Sequence, residues 1–166
     1  MLSSVPPPVA IIGTSGKSRR MALTTSGVRM AAETFSMLAP ASRRAAEDYL
    51  EALLLLERGT GDVRGAQLAR HLGVSKASVS IAMKRLRQEG YVSVGKDRDL
   101  LLTDAGRAIA CRVYERHCFF TQLLLCAGVE PEQAEQDACR MEHAISEEGF
   151  VKLKEMLICF AMAKPT

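Results

Sequence analysis

Residues 137–146 read DACRMEHAIS, and Cys139, Glu142 and His143 fall at i, i+3 and i+4. On a helix those three side chains share one face. A thiol, a carboxylate and an imidazole on one face make a metal-ligand set, and the chain has only three histidines to place there. Two further groups can join them. Asp48 and Glu51 are spaced i, i+3, and His117 is one of the two remaining histidines. Together the six offer three carboxylates, two imidazoles and a thiolate, a donor set that suits one or two divalent transition metals. His71 sits beside Gly73 in a turn and is assigned no ligand role.

The same residues admit two other readings. The shared face can be a coincidence on a metal-independent winged-helix regulator. Alternatively, Cys139 with His117 or His143 can form a thiol–imidazole pair of an enzyme. No HExxH element and no dedicated oxyanion-type loop accompanies that pair, and a helix-borne Cys with neighbours at i+3 and i+4 suits metal better. The expectation is therefore that the protein is not an enzyme.

A second chemistry lies in the middle of the chain. In GDVRGAQLARHLGVSKASVSIAMKRLRQEGYVSV, the residues Ala66, Leu68, Ala69 and Leu72 make a short apolar helix that Gly73 breaks. Ser75 then caps a second helix, whose buried stripe is Val79, Met83 and Leu86. Two short helices around a glycine turn form a helix–turn–helix. Residues 91–94, the turn 95–99 and residues 100–103 read as strand, turn and strand, which makes the wing of a winged helix. Ser75, Lys76, Ser78 and Ser80 begin the recognition helix, an end that enters the major groove of double-stranded operator DNA, where they can meet base edges or phosphates. Lys84 and Arg85 further along point to phosphate, and Lys96 and Arg98 at the wing tip are placed for backbone or minor-groove contact.

Both sets of side chains need elements to hold them. The chain has 166 residues, 48% of them hydrophobic, 25% charged and only 5% aromatic. It reads as a mainly α protein with an N-terminal winged helix–turn–helix domain and an all-helical dimerisation and metal-binding domain. Residues 1–41 are expected to be a disordered leader, rich in Pro, Ser and Gly, with Met21, Met30 and Met37 as alternative starts. Residues 42–102 are assigned to the DNA-binding domain and 103–160 to the helical domain. Ser42 is expected to cap the first helix, which carries Leu50, Leu53 and Leu54 and ends at Gly59–Gly61. Three more helices follow, from Thr103-Asp104 to Gly128, from Pro131 to Ile145, and from Ser146 to about Phe160.

Charge divides the same way. Residues 61–100 hold eight basic and four acidic residues, whereas 103–160 hold six basic and ten acidic. One region suits an anion and the next a cation. The five cysteines (Cys111, Cys118, Cys126, Cys139 and Cys159) include no CxxC pair. They read as mainly packing thiols of a reduced, cytoplasmic protein. The run Val9–Ile12 is too short for a signal-peptide core, and no membrane span is expected. The apolar run Cys118–Cys126 exceeds what a small helical domain can bury by itself, so a homodimer is expected.

These pieces, in this order, resemble the metal-dependent repressors of the diphtheria-toxin-repressor type, which include the manganese-sensing regulators. The resemblance runs from about Ser42 to Leu157. It rests on AEDYLEALLLLE, LARHLGVSKASVSIAMKRLRQEGYV, LLTDAG, Arg116-His117 and DACRMEHAIS. It implies a homodimer in which a divalent ion, Mn²⁺ or Fe²⁺, joins the first helix to the dimerisation domain and sets the spacing of two winged helices on an operator. By position, Asp48 and Glu51 match the carboxylates of the manganese sensors, and His117, Glu142 and His143 match shared ligands. Cys139 matches the iron sensors, where manganese sensors have a carboxylate. Thr121 and Glu135 stand where the iron sensors' second site has a glutamate and a histidine. The chain also ends before the third, SH3-like domain of those sensors. The resemblance thus implies a short, manganese-type architecture with one iron-type ligand.

Overall fold

Pro40 opens helix α1 (Pro40–Thr60), because a proline at the first helical position gives up only an N–H that would have no helical partner. Ser42 therefore lies inside the first turn and is not the cap; Ala39 occupies that position and makes no side-chain capping bond. The computed structural model describes Phe35 and residues 37–162. Most of the expected leader, including Met21 and Met30, lies outside the described residues. Its end differs from the expectation: Phe35 is buried and meets the Tyr91 ring edge-on at 5.2 Å.

Beyond α1 come α2 (Gly65–Leu72), α3 (Lys76–Gln88), strands β1 (Val92–Val94) and β2 (Leu100–Leu102), then α4 (Asp104–Cys126), α5 (Pro131–Ala144) and α6 (Glu147–Met162). Local chemistry explains each boundary. Gly73 ends α2 at φ 66°, a left-handed conformation that glycine adopts without penalty. Ser75 Oγ accepts the Ser78 N–H at 3.0 Å and caps α3 as expected. Thr103 does the same for α4, accepting from the Gly106 N–H at 3.1 Å. The strands pair antiparallel in the register Val92↔Leu102, Ser93↔Leu101 and Val94↔Leu100. Helix α4 ends two residues before Gly128, which itself takes φ 86°, and α6 runs to Met162, past Phe160.

Two apolar clusters organise the chain. The larger joins Leu50, Leu53 and Leu54 of α1 to Leu68 of α2, Val79, Met83 and Leu86 of α3, Tyr91, and Ile109 and Val113 of α4. The smaller joins Phe120 of α4 to Ala138 of α5 and Phe150 of α6. Burying these side chains stabilises the fold by roughly 1.5–3 kcal/mol each for the larger aliphatic and aromatic ones. Helix α4 belongs to both clusters, and α1 is fastened to it by polar contacts too. Arg107 donates to both Glu57 carboxylate oxygens at 2.7 Å, and the Arg58 guanidinium lies 4.9 Å from the centre of the Tyr114 ring.

Not every cysteine is packed. Cys111 and Cys126 are exposed, while Cys118 and Cys139 are half-buried, and the Cys159 side chain lies outside the described residues. Apolar neighbours along the sequence suggested packing thiols, but on a helix sequence neighbours point to different faces. No helix among the described residues is long and apolar enough to cross a membrane.

Candidate metal centre and nucleic-acid interface

Where the two clusters meet, three helices present their polar side chains to one another. Helix α1 contributes Glu47, Asp48 and Glu51, α4 contributes His117, and α5 contributes Glu135, Cys139, Glu142 and His143. Cys139, Glu142 and His143 bring one ligand atom each to within 4.8 Å of one another, and so do Glu51, His117 and Glu142. Asp48 joins through its Oδ1, 2.9 Å from His143 Nε2. All six residues expected as ligands are thus brought together, with Glu142 common to both groups.

Glu142 is the centre of the arrangement, and none of its side chain is exposed. Its Oε2 accepts from His117 Nδ1 at 2.7 Å. Its Oε1 stands 3.1 Å from His143 Nε2. That approach is off the line a hydrogen bond requires, and both Glu142 Oε1 and His143 Nε2 are buried without a hydrogen-bond partner. Two buried ligand atoms held by charge and not by a hydrogen bond, one thiol and a ring of carboxylates have the chemistry of a transition-metal site, so the residues fit such an ion.

Two carboxylates belong to the site that the sequence reading did not include as ligands. Glu47 Oε2 accepts from His143 Nδ1 at 2.7 Å, and Glu135 Oε2 accepts from His117 Nε2 at 2.7 Å. Glu47 had one signal, its i, i+4 spacing from Glu51; Glu135 had its place in α5, i−4 from Cys139. Thr121, one helical turn beyond His117, is buried with its hydroxyl unpartnered. His71 is exposed and far along the chain from this group.

The carboxylates set the protonation of the centre. Burial would lower the His143 pKa, but Asp48, Glu142 and Glu47 around the ring lift it to about 11. The hydrogen bond to Glu142 lifts His117 to about 9, against the effect of burial. Burial and the Glu142 charge raise Glu51 to about 7. Burial would raise Glu142 too, but its two histidine partners bring it below the usual carboxylate range. Burial, then the Glu142 and Asp48 charges, push the Cys139 thiol up. Metal ligation needs neutral imidazoles and a thiolate, so loading must expel protons. Binding of Mn²⁺ at pH 7 is expected to release two or more protons per ion, read by calorimetry in two buffers of different ionisation enthalpy. Affinity should rise with pH, on the order of tenfold per pH unit for each proton released. Release of fewer than one proton would mean that the histidines are not ligands.

The residues expected to meet DNA lie on α3 and the wing. Ser75, Lys76, Ser78, Ser80, Lys84 and Arg85 of α3, and Lys96 and Arg98 of the wing, are all exposed. Ser75 and Ser78 hydroxyls also bond each other at 2.8 Å, so part of their capacity is used in the cap. Arg85 Nε donates to Glu89 Oε1 at 2.7 Å, which leaves less of its charge for an external anion. Arg98 takes φ 61°, a left-handed conformation that costs an L-residue roughly 1 kcal/mol. A non-glycine residue kept in that strained position suggests that the side chain has a use. Arg98→Ala and Arg98→Gly should both flatten the salt dependence of DNA binding by about one unit per site. In thermal unfolding the glycine variant should be the more stable of the two by about 1 kcal/mol. Equal stability would show that the turn carries no strain.

The chain is 38% identical over 117 residues to the transcriptional regulator MntR of Escherichia coli, which covers 70% of this chain and 76% of that one. It is 35% identical over 113 residues to the iron-dependent repressor IdeR of Mycobacterium tuberculosis, covering 67% of this chain and 49% of that one. A solved structure of a manganese-dependent transcriptional repressor in complex with manganese superposes with a TM-score of 0.61 at 27% identity, over 68% of this chain and 52% of that one. The structure of the manganese regulator SloR gives 0.60 at 26% identity, over 68% and 53%. The chain thus spans about half the length of these two solved structures. Residues 43–100 match the model of the iron dependent repressor N-terminal DNA binding domain. Residues 103–161, which hold His117 and the whole α5 cluster, match the metal binding and dimerisation domain of the same repressors. The helix–turn–helix and the carboxylate–imidazole centre therefore come from one lineage, and the chain belongs to the iron-dependent repressor family.

Proposed function

We propose that the protein is a repressor of metal-homeostasis genes that binds operator DNA as a homodimer when Mn²⁺ or Fe²⁺ is bound among Asp48, Glu51, His117, Cys139, Glu142 and His143. The observation that carries this reading is the placement of α1. Its Asp48 and Glu51 face the α4–α5 cluster, while Leu50, Leu53 and Leu54 of the same helix pack under the helix–turn–helix.

A divalent ion bound there would supply positive charge for the carboxylates to share. The rest follows from the chain. Asp48 and Glu51 are rigidly connected to the recognition helix, because α1 and α3 share one core. Holding those two carboxylates against His117 and Glu142 adds to the packing of α4 on α1 and fixes the angle between the DNA reader and the helical domain. When that domain pairs with its copy, fixing the angle also sets the separation of two recognition helices. Only some separations match half-sites one helical turn apart. DNA and metal then favour the same arrangement, so each raises affinity for the other.

The helical domain supports pairing through its sequence and surface. Phe119, Leu123 and Leu124 are only half-buried, and Val151 and Met156 of α6 are exposed. The matched family domain is one of dimerisation. A metal-independent winged-helix regulator is the second reading, favoured only by the imidazolium–carboxylate pairs that satisfy most of the centre by protons.

The donor set suits both ions. Fe²⁺ accepts a thiolate and carboxylates together, whereas Mn²⁺ prefers the oxygen donors. Anaerobic titration of the apo-protein with Mn²⁺ and with Fe²⁺, following retention of operator DNA, tests the reading. Activation by both ions is expected. Operator binding that ignores both would leave the metal-independent regulator.

A further inference from the structure

Ile81 is 72% exposed at the middle of α3. The buried stripe of this helix is Val79, Met83 and Leu86. At 100° per residue, the side chains opposite that stripe are Ala77, Ile81, Lys84 and Gln88. Ile81 therefore stands at the centre of the face turned away from the protein core. It belongs to neither apolar cluster, and an isoleucine left largely in water there gains little from burial.

Its surroundings identify the partner. Ala77, Ser78, Ser80 and Lys84 around it are exposed. Of the basic residues of α3, Lys84 lies on this face and Arg85 beside it, and the helix holds no acidic residue. A positively charged helix face suits a polyanion and opposes an apolar protein partner of ordinary charge. On duplex DNA the apolar group that a major-groove helix meets is the 5-methyl of thymine.

We propose that Ile81 is a specificity-determining residue that packs on a thymine 5-methyl group in each operator half-site, with Ala77 one turn earlier leaving room for the base edge. The proposal rests on α3 being the DNA reader, as proposed above. It differs from the roles of Lys76, Ser78 and Ser80, which are polar contacts. It means that a required A·T pair in each half-site is recognised through its methyl group rather than through a hydrogen bond.

The test uses a duplex selected from a random-sequence pool by the full-length wild-type chain with Mn²⁺. Each thymine is then replaced singly by deoxyuridine, which removes only the methyl. One thymine in each half-site should lose about fourfold in wild-type affinity, the worth of one buried methyl group. Ile81→Ala should bind the parent duplex correspondingly less well and be indifferent to that same replacement. A flat deoxyuridine series with wild type, or equal losses in wild type and Ile81→Ala, would overturn the proposal. Lys76→Ala and Lys84→Ala separate it from the underlying reading. If they lose binding while the deoxyuridine series is flat, α3 reads DNA and only the methyl contact is wrong. If both lysine variants and Ile81→Ala bind every duplex as wild type does, α3 is not the reader and both claims fall.

Discussion

Glu142→Gln is expected to uncouple DNA binding from metal while leaving the fold in place. The substitution keeps the shape of a side chain with no exposed surface, removes its charge, and puts an amide where two imidazole nitrogens converge. A neutral amide cannot serve as an anionic ligand to a divalent ion, and its NH₂ group opposes whichever histidine it faces. Removing a hydrogen-bonded partner of a metal ligand already costs 10- to 100-fold in affinity. The loss of a carboxylate shared by both ligand groups should cost on the order of 100-fold or more. Equilibrium dialysis with Mn²⁺ reads the affinity, and a helicity spectrum shows that the chain remains folded. Operator binding by the variant should stay at its metal-free level across the titration. Wild-type metal response in this variant would remove Glu142 from the centre.

Gly106→Ala should do the reverse, weakening the fold without touching a ligand. Gly106 lies in the first turn of α4, directly against the backbone at Tyr91. A Cβ there would stand 2.0 Å from the Tyr91 carbonyl oxygen. That carbonyl is not free to move, since it accepts from the Thr103 N–H at 3.0 Å and Tyr91 N–H donates to Leu86 O at 2.8 Å. Thr103 Oγ further ties this crossing by donating to Gly90 O at 2.7 Å. Relief must come from shifting α4 away from the end of α3. A cost of about 3 kcal/mol is expected, at the upper end for overpacking. In a chain of this size that lowers Tm by roughly 10 °C. Metal binding to the fraction that remains folded should be unchanged, because His117 lies three turns away along α4. An unchanged Tm would show that the wing and α4 are not held as tightly as their hydrogen bonds imply.

The two variants act on parts of the molecule that differ in how readable they were. The helix–turn–helix was legible because its signals are local: a glycine turn, a serine cap, and an apolar stripe at i, i+4 and i+7. Gly73, Ser75 and the Val79–Met83–Leu86 stripe stand where the spacing placed them. The triplet on α5 was legible for the same reason. The start of α1 was not, since Ser42 and Pro40 give competing local signals and proline's fixed φ prevailed. Phe35 was assigned to a leader because nothing in its vicinity of the sequence announces Tyr91, a residue of another element.

The pairing of Glu47 with His143 spans 96 residues and that of Glu135 with His117 spans 18. Such contacts depend on how α1, α4 and α5 pack, which no local pattern encodes. What the sequence does carry is the supply of carboxylates. Their number around two histidines raises both imidazole pKa values, and it determines how much charge an incoming ion must replace. The exposure of Ile81 was implicit in the sequence, because 100° per residue sets it opposite the Val79–Met83–Leu86 stripe.

The central claim is that one set of side chains between α1 and α4–α5 links metal to DNA. Its most direct test is the affinity of the full-length chain for Mn²⁺, measured with and without saturating operator duplex, beside the affinity for the duplex with and without saturating Mn²⁺. Linkage requires the two ratios to be equal, and coupling of this kind is typically 5- to 150-fold. The expected result is a matched increase in that range, lost in Glu142→Gln. Metal that binds tightly with the same affinity whether or not the duplex is present would contradict the claim.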